Sequence, residues 1–219
     1  MIKNIYKILL KHYGPQNWWP VISNQNPNVE IILGAILTQN TSWKNVEKAL
    51  QNLIERNLID FNKILNLSEE ELKSLIRPAG FFNQKAKTIF RVAKFFVENS
   101  NQVSRNELLK IKGIGKETAD SILLYAYNQN IFVIDAYTRR LFYRLGLVEK
   151  DISYDELQDF ITLNLPNNTK IYQEFHALIV VHCKNVCKKF PSCSICVLKP
   201  HCKFFLDSSQ SNEINTRKY

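Results

Sequence analysis

The 219-residue sequence lacks any apolar run of the roughly 18 to 20 residues that a membrane-spanning helix needs. It also lacks the features of a secretory leader: lysines are interleaved with the apolar residues of MIKNIYKILLKHYG, and no small-residue cleavage site follows. No internal repeat, low-complexity tract or flexible linker is evident. These absences predict a cytoplasmic protein with no membrane partner.

Cysteine is absent from the first 182 residues, and all five cysteines lie between residues 183 and 202. Disulfides are disfavoured inside cells, so such a cluster is more typical of a metal site than of a disulfide framework. Strand-like segments are equally scarce. Only IFVID at 131–135 has strand character, and a buried connection would read the same way.

What the chain does contain is helical periodicity, with apolar residues at steps of three and four. Three S-x-x-E sequences predict capping boxes, in which a serine side chain accepts an amide hydrogen bond and the glutamate reaches back to the cap. These are Ser68 with Glu71, Ser104 with Glu107, and Ser153 with Glu156. We therefore predict an all-α fold with periodic helices at 2–12, 28–38, 43–56, 84–97, 116–127, 136–145, 154–163 and 170–183.

Positive charge is in excess. The chain has 29 Lys and Arg against 20 Asp and Glu, a net charge of +9. Such a balance favours a polyanionic partner, because each cation placed on a phosphate releases a condensed counterion. A basic, solvated surface without such a partner explains the same number equally well.

The segment LLKIKGIGKETADSILLYA, residues 108–126, predicts two helices joined by a glycine turn. Gly113 and Gly115 flank Ile114 and allow positive φ and close backbone approach. The helix that begins at Lys116 would aim its free amides and dipole at whatever lies beside the turn, and a DNA phosphate fits that description. A glycine turn between two helices is by itself weak support.

Asp135 follows the apolar run in VIDAYTRR, about twenty residues downstream. An aspartate that opens a helix can be a plain N-cap. It can also serve chemistry, since breaking an N-glycosidic bond builds positive charge on deoxyribose, which a carboxylate stabilises while activating water.

These motifs together resemble the endonuclease III superfamily of DNA glycosylases. The match runs through LGAILTQNTSW (33–43), GFFNQKAK (80–87), KGIGKETA (112–119) and VIDAYTRR (133–140) to the cysteine cluster. The resemblance implies that the hairpin binds the backbone of double-stranded DNA carrying a damaged base, through Gly113, Ile114, Gly115, Lys116 and Thr118. It also implies that Asp135 faces the flipped nucleotide, and that the protein is a monomer associated with the nucleoid.

Glu117 marks a departure from the bifunctional members, which carry a lysine two residues after the second hairpin glycine. That lysine forms a Schiff base and nicks the strand, whereas a carboxylate cannot form an imine. Lys116 is adjacent, but neighbouring helical side chains point about 100° apart. We expect a monofunctional enzyme with Glu117 and Asp135 in the active site.

Four of the cysteines, Cys187, Cys193, Cys196 and Cys202, have spacings of five, two and five residues between them. A [4Fe–4S] cluster and a tetrahedral zinc ion are both chemically suitable, and plain thiols are the remaining alternative. The resemblance favours [4Fe–4S], although the first gap is one residue shorter than in the family. Lys188 and Lys189 in this loop would then meet DNA phosphates, and Cys183 would be a spare thiol.

All three tryptophans, Trp18, Trp19 and Trp43, lie in the first 43 residues. They could be core anchors. A glycosylase pocket, however, needs flat π surfaces for an extruded base, and electron-rich rings favour a cationic purine. The order WWP, LTQNT plus an aromatic, and GIGKE resembles the 3-methyladenine DNA glycosylase III branch, which lacks the cysteines found here. Tyr137 is a further candidate for the base pocket.

Gln39 resembles the family glutamine that fills the hole left by the extruded nucleotide, although a helix-terminal polar residue is the simpler interpretation. Lys85 and His182 are candidates for cleft or backbone contacts, or for structural roles.

We expect two helical lobes with an active cleft between them. The first is a six-helix domain at 22–130, and the second joins 1–21 to 131–219 with the cluster loop at 187–202. The predicted function is excision of alkylated purines. Alternatives are a glycosylase for mismatched thymine or uracil or for oxidised bases, with or without AP-lyase activity, and a non-catalytic binder of damaged DNA.

Overall fold

The computed structural model describes residues 1–99 and 103–207, and all regular secondary structure in these ranges is helical, as predicted. The α-helices are α1 (Ile2–Tyr13), α2 (Pro27–Leu37), α3 (Trp43–Glu55), α4 (Phe61–Leu65), α5 (Glu69–Ile76), α6 (Phe82–Glu98), α7 (Arg105–Lys110), α8 (Lys116–Ser121), α9 (Ala136–Leu145), α10 (Tyr154–Leu163) and α11 (Thr169–Asn185), and residues 203–207 are also helical. A π-helical segment, Ile122–Ala126, continues α8, and short 3-10 turns lie at Arg77–Ala79, Cys193–Ile195 and Lys199–His201. No described helix is long and apolar enough to cross a membrane.

The three predicted capping boxes are confirmed at the starts of α5, α7 and α10. In each, the serine accepts the amide of the glutamate at 3.2 or 3.3 Å while the glutamate accepts the serine amide. Such caps are worth about 1 kcal/mol each, because they satisfy amides that have no partner within the helix. The five-residue helix α4 was not predicted, since it is too short to show a period.

Residues 131–135 form a connection rather than a strand. Phe132, Val133 and Ile134 are nevertheless buried, which explains why the segment is apolar. The amide of Ile134 donates to the Tyr154 hydroxyl at 3.2 Å, so a side chain supplies a partner that a neighbouring strand would otherwise provide.

One compact unit comprises Trp19–Gln129 and is called the central unit here. Its core is α2, in which every residue from Val29 to Leu37 is buried. Its side chains are apolar on every side except at Glu30, whose carboxylate accepts hydrogen bonds from the amide and hydroxyl of Ser23, so the helix lies inside a bundle. It packs against α3, α6 and the π-helical segment after α8.

The other compact unit, the terminal unit, joins Met1–Trp18 to the chain from Asn130 onwards. Helix α11 packs against both α1 and α9. Phe132, Phe142, Tyr172 and Phe175 are fully buried in its core. The sequence predicted one domain at residues 22–130, and the corresponding compact unit of the structure comprises Trp19–Gln129. The functional roles of the two domains stay a prediction.

Candidate functional site

The glycine turn between α7 and α8 depends on Gly113. Its φ is 103°, a region that residues with a Cβ rarely adopt. A Cβ added there would lie 3.0 Å from Thr88 Cγ2 and closer still to Thr88 Oγ1. The turn therefore needs glycine at Gly113 for both conformation and space.

Gly115 differs from the expectation that both glycines serve positive φ. Its φ is −97°, it caps α8 in an extended conformation, and a Cβ there would meet nothing within 4 Å. Ile114 between them is buried, so its side chain belongs to the core and only its backbone can meet a ligand. The space beside Gly115, at the start of α8, is open.

Gln39 lies against this turn. Its side-chain amide donates to the carbonyl of Gly113 at 3.2 Å and to the Thr118 hydroxyl at 2.9 Å. Thr118 is buried, so its hydroxyl supports Gln39 instead of facing solvent. The structure thus brings together three of the predicted DNA-binding residues in one hydrogen-bonded group.

Lys85 is buried, and its ammonium group donates to the carbonyls of Leu37 and Ala79, both at 2.8 Å. It therefore ties the end of α2, two residues before Gln39, to the turn that precedes α6. Burial lowers the pKa of Lys85 to about 8. Its ammonium group is an internal support and cannot contact a DNA backbone directly.

Phe81, beside that turn, was missed by the sequence reasoning. Its side chain is 60% exposed and its φ is 48°. A bulky residue with positive φ is uncommon, and such residues cluster at functional sites. The sequence feature that could have identified Phe81 is an aromatic residue directly after a glycine at the start of a helix.

Three aromatic rings form a group in the central unit, called the aromatic group below: Trp19, Trp43 and Tyr125. The Trp19 ring meets Trp43 edge-on at 5.4 Å between centroids and Tyr125 at 5.1 Å. Gly34 lies against Trp19 and leaves room for its ring, because a Cβ at this position would lie 3.3 Å from the indole. Both tryptophans are partly exposed, so they are not simple core anchors.

Tyr125 was not identified from the sequence. It lies in the π-helical segment that continues α8, and it is buried. Single π-turns inside α-helices are rare and often occur at functional sites. The wider turn aims residues of the hairpin helix differently from the α-helical register that the apolar spacing predicts.

Asp135 has two structural partners in the terminal unit. Its Oδ1 accepts the amide of Thr138 at 2.7 Å, which caps α9, and its Oδ2 lies 3.5 Å from Nε2 of His176 on α11. The aspartate is thus an N-cap, as one interpretation predicted, and it is also a buried carboxylate facing a histidine.

The charge state of Asp135 reflects opposing effects. Burial by itself raises the pKa of this carboxyl, but the hydrogen bond and charge of His176 and the amide of Thr138 outweigh burial. The net pKa is lower than usual, so the carboxylate is ionised near neutral pH. A buried, ionised carboxylate is suited to stabilising a developing positive charge.

Trp18 and Tyr137 flank this region of the terminal unit. The Trp18 indole stacks on His176 with centroids 5.7 Å apart and planes 11° from parallel. The Tyr137 ring lies beneath the Arg140 guanidinium at 5.2 Å. Trp18 therefore supports the histidine of Asp135, whereas Trp19 next to it in sequence belongs to the aromatic group.

Lys116 and Glu117 occupy the first turn of α8, and both side chains are exposed. The position that would carry a Schiff-base lysine thus presents a carboxylate to solvent. Glu117 belongs to the central unit and Asp135 to the terminal unit.

The four cysteines of the loop, Cys187, Cys193, Cys196 and Cys202, line one small cavity of about 20 Å³. Residues from α9 and α11 hold its walls. Arg144 donates to the carbonyls of Lys188 and Lys189 at 2.6 and 2.9 Å and lies 3.3 Å from the Cys187 sulfur. The anchoring role of Arg144 was missed by the sequence reasoning.

His182 is fully buried beside the same loop, so it is an internal residue. The Tyr13 hydroxyl oxygen lies 2.9 Å from Nδ1 of His182, and the Cys196 sulfur lies 3.6 Å from Nε2 of the same ring. Burial, and then the charge of His12, lowers its pKa to about 4, so the ring is neutral near pH 7.

The donor chemistry of the cysteine loop fits a thiolate-bound centre, with a guanidinium to balance negative sulfur. Across residues 1–99 and 103–207, no three His, Cys, Asp or Glu side chains converge as ligands of one metal ion. A zinc ion would draw four sulfurs to within about 2.3 Å of one point, whereas an iron–sulfur cluster holds its cysteines further apart. Four thiols with a nearby guanidinium suit either centre chemically.

The chain is similar to known DNA repair proteins. Residues 33–166 match the family described as HhH-GPD superfamily base excision DNA repair protein. A protein of Methanocaldococcus jannaschii described as a DNA repair glycosylase is 51% identical over 214 residues, which cover 92% of this chain and 96% of that one.

Two solved structures are also similar. The 3-methyladenine DNA glycosylase of H. pylori, bound to 1,N6-ethenoadenine, is 34% identical with a TM-score of 0.70, covering 84% of this chain and 95% of that one. A trapped covalent intermediate of endonuclease III with DNA has a TM-score of 0.83 at 21% identity, covering 95% and 99%. The second likeness concerns the fold alone.

Proposed function

Because the chain belongs to the HhH-GPD superfamily of base excision DNA repair proteins, we propose that it is a monofunctional DNA glycosylase for alkylated purines such as 3-methyladenine. The observation that carries the choice of substrate is the aromatic group. Trp19 and Trp43 present partly exposed, electron-rich rings, and Tyr125 supports them. A methylated purine is cationic and flat, so it gains both stacking and cation–π attraction from such rings.

One similar solved structure supports this choice of substrate. The H. pylori protein, 34% identical to this chain, is named as a 3-methyladenine glycosylase and was solved with a modified adenine. A cationic base is already a good leaving group, so no strong general acid is required. The enzyme needs to extrude the base, hold it and stabilise the sugar.

Asp135 is proposed as the catalytic carboxylate. As the bond between C1′ of deoxyribose and the base nitrogen breaks, the bonding electrons leave with the base and positive charge develops on the sugar. The ionised carboxylate stabilises that charge and accepts a proton from the water that adds to C1′. The products are the free base and an abasic site in an unbroken strand.

Glu117 supports the monofunctional assignment, because its carboxylate cannot form the imine through which a lysine cleaves the strand. We propose Glu117 as a second active-site residue that polarises water or the sugar. Lys116 next to it is exposed on the same helix turn and is assigned to phosphate contact.

Double-stranded DNA is the proposed partner of a monomeric protein. The open space at Gly115, at the positive end of the α8 dipole, suits a phosphate oxygen. Gln39, held by Gly113 and Thr118, and the exposed ring of Phe81 are proposed to contact the duplex near the extruded nucleotide. Lys188 and Lys189 supply further phosphate contacts.

The cysteine loop is proposed to hold a [4Fe–4S] cluster through Cys187, Cys193, Cys196 and Cys202, with zinc as the alternative. When bound, the cluster supplies four iron–thiolate bonds that cross-link the loop, a structural contribution. Iron, sulfide and zinc analysis of the purified protein, together with its visible absorption, distinguishes these alternatives. About four irons and four sulfides per chain support the cluster, and one zinc per chain contradicts it.

The experiment that tests the proposed function is base release from duplex DNA treated with a methylating agent. Released bases are identified by mass spectrometry, and strands are examined before and after alkali. We expect 3-methyladenine or 7-methylguanine to be released, with strand breaks only after alkali. Release from G·T, G·U or oxidised duplexes instead would move the assignment to those substrates, and breaks without alkali would contradict the Glu117 argument.

Asp135→Asn is the matched control, since asparagine also caps helices and keeps the amide hydrogen bond of Thr138. We expect DNA binding close to wild type and no base release. Equal binding with no turnover by wild type and variant on every substrate would support a damaged-DNA-binding protein instead.

A further inference from the structure

His176 lies next to the proposed catalytic carboxylate and has no role in the function described so far. It belongs to α11, it is only 5% exposed, and its Nε2 lies 3.5 Å from Oδ2 of Asp135. This separation is longer than an ordinary hydrogen bond and short enough for a direct electrostatic interaction. Both carboxylate oxygens of Asp135 thus face a donor, since Oδ1 accepts the amide of Thr138.

The imidazole is held in its orientation by aromatic rings. Trp18 stacks on one face with nearly parallel planes, and Phe132 meets the ring edge-on at 6.3 Å with planes 89° apart. Stacking of a cation or a polarised ring on indole is favourable. Three residues far apart in sequence therefore form a layered arrangement of indole, imidazole and carboxylate.

We propose that His176 is a positioning residue for Asp135, presenting Nε2 to Oδ2 so that the carboxylate stays ionised and aimed, while Trp18 fixes the imidazole plane. This inference rests on the proposed function, because it assigns Asp135 the chemistry. It also changes the role of Trp18 from base stacking to support of the histidine.

The physical reason is the burial of Asp135. An apolar environment favours a protonated carboxyl, and a protonated carboxyl can neither stabilise a cationic sugar nor accept a proton from water. The backbone and side chain of Thr138 act in the opposite direction to burial and lower the pKa of Asp135. A donor facing the second oxygen favours the ionised form of the carboxyl further.

The titratable groups that face Asp135 within the terminal unit are His176 and Cys183 on α11 and Tyr137 on α9, with Arg140 acting on the last two. Asp135 raises the pKa of Tyr137, after the larger effect of burial. Of these groups, His176 favours the ionised form of Asp135 through its hydrogen bond and its charge. The test therefore uses variants of His176.

Two variants separate the contributions. His176→Gln keeps a side-chain amide near the position of Nε2 but removes the imidazole, and His176→Phe keeps a ring for Trp18 but removes the donor. His12→Gln is a control, because His12 is exposed on α1 of the same unit. Melting temperatures show whether each variant folds, and if His176→Phe does not fold, His176→Gln carries the same comparison.

The first readout is the carbon-13 resonance of the Asp135 carboxyl as a function of pH, assigned with Asp135→Asn. We expect His176→Phe to raise the titration midpoint by about 1 to 3 pH units, since a nearby opposite charge lowers a carboxyl pKa by that amount. His176→Gln gives a smaller increase, and His12→Gln gives none. An unchanged midpoint in both His176 variants overturns the proposal.

The second readout is the single-turnover rate of base release. We expect His176→Phe to lose at least about tenfold at pH 5 and much less at pH 8, with unchanged DNA affinity. An equal loss at every pH, or weakened DNA binding, would assign His176 a purely structural role. If the wild type releases no base, the proposed function fails, and the carboxyl titration still decides whether His176 controls Asp135.

Discussion

Gly113 and Gly115 lie two residues apart in one turn, yet the structure predicts opposite consequences for the same substitution. Gly113→Ala places a Cβ at φ 103° and within 3.0 Å of Thr88 Cγ2. Gly115→Ala places a Cβ in open space at φ −97°, which any residue adopts. The pair therefore provides its own matched control.

The expected cost of Gly113→Ala has two parts. A residue other than glycine in a sparsely populated positive-φ region costs about 1–3 kcal/mol. Relieving the overlap with Thr88 costs about 1–3 kcal/mol more, as in other overpacked cores. The sum of about 2–6 kcal/mol corresponds to a melting temperature about 5–20 °C lower for a chain of this size. Gly115→Ala should stay within about 2 °C of wild type.

The assay is thermal unfolding followed by circular dichroism, with DNA binding by fluorescence anisotropy on the folded proteins. We expect Gly115→Ala to weaken binding about tenfold despite its normal stability, because its methyl group enters the space assigned to a phosphate. Adding Thr88→Ala to Gly113→Ala should recover part of the lost stability, since it removes Oγ1 and Cγ2. Equal melting temperatures for the two glycine variants would refute the reasoning.

The remaining predictions concern three side chains. Asp135→Asn should lower excision by at least about 10²-fold with DNA affinity within a few-fold of wild type, measured by single-turnover kinetics and anisotropy; a smaller loss removes Asp135 from the chemistry. Trp43→Ala should reduce release of methylated purines more than it reduces DNA affinity, and unchanged release would contradict the aromatic-group argument. The folded-state pKa of Lys85, about 8, lies below the usual 10.5, so the unfolded chain binds more protons between these values. Urea unfolding should therefore show the free energy of unfolding of the wild type rising relative to that of Lys85→Met from pH 8 to 10.5, by roughly 3 kcal/mol at most. If the free energies of the two proteins change in parallel with pH, Lys85 is not buried in solution.

The all-α fold and most helix positions follow from local chemistry. A capping box such as that of Ser68 and Glu71 involves hydrogen bonds within four residues, so its spacing is visible in the printed sequence. The same holds for Asp135, whose cap on Thr138 spans three residues. Apolar periodicity likewise reports one helix at a time. Such features need no knowledge of what packs against them.

The partners of the proposed site residues were decided by tertiary structure. Gln39 meets Thr118 across 79 residues, and Arg144 reaches Cys187 across 43. Neither contact has a spacing rule, because helix packing determines which faces meet and which polar atoms must then be satisfied. The burial of Lys85 and the pairing of His176 with Asp135 arise in the same way.

The two glycines of the turn illustrate what the sequence determines and what the tertiary structure decides. From the sequence alone, Gly113-Ile114-Gly115 predicts a tight turn before a helix, and that prediction needs only the conformational freedom of glycine. Which glycine is indispensable depends on Thr88, a residue of α6 that lies against Gly113 and leaves Gly115 open. Sequence determined the turn because backbone preferences are local, and tertiary structure decided its roles because steric overlap and open space exist only between packed helices.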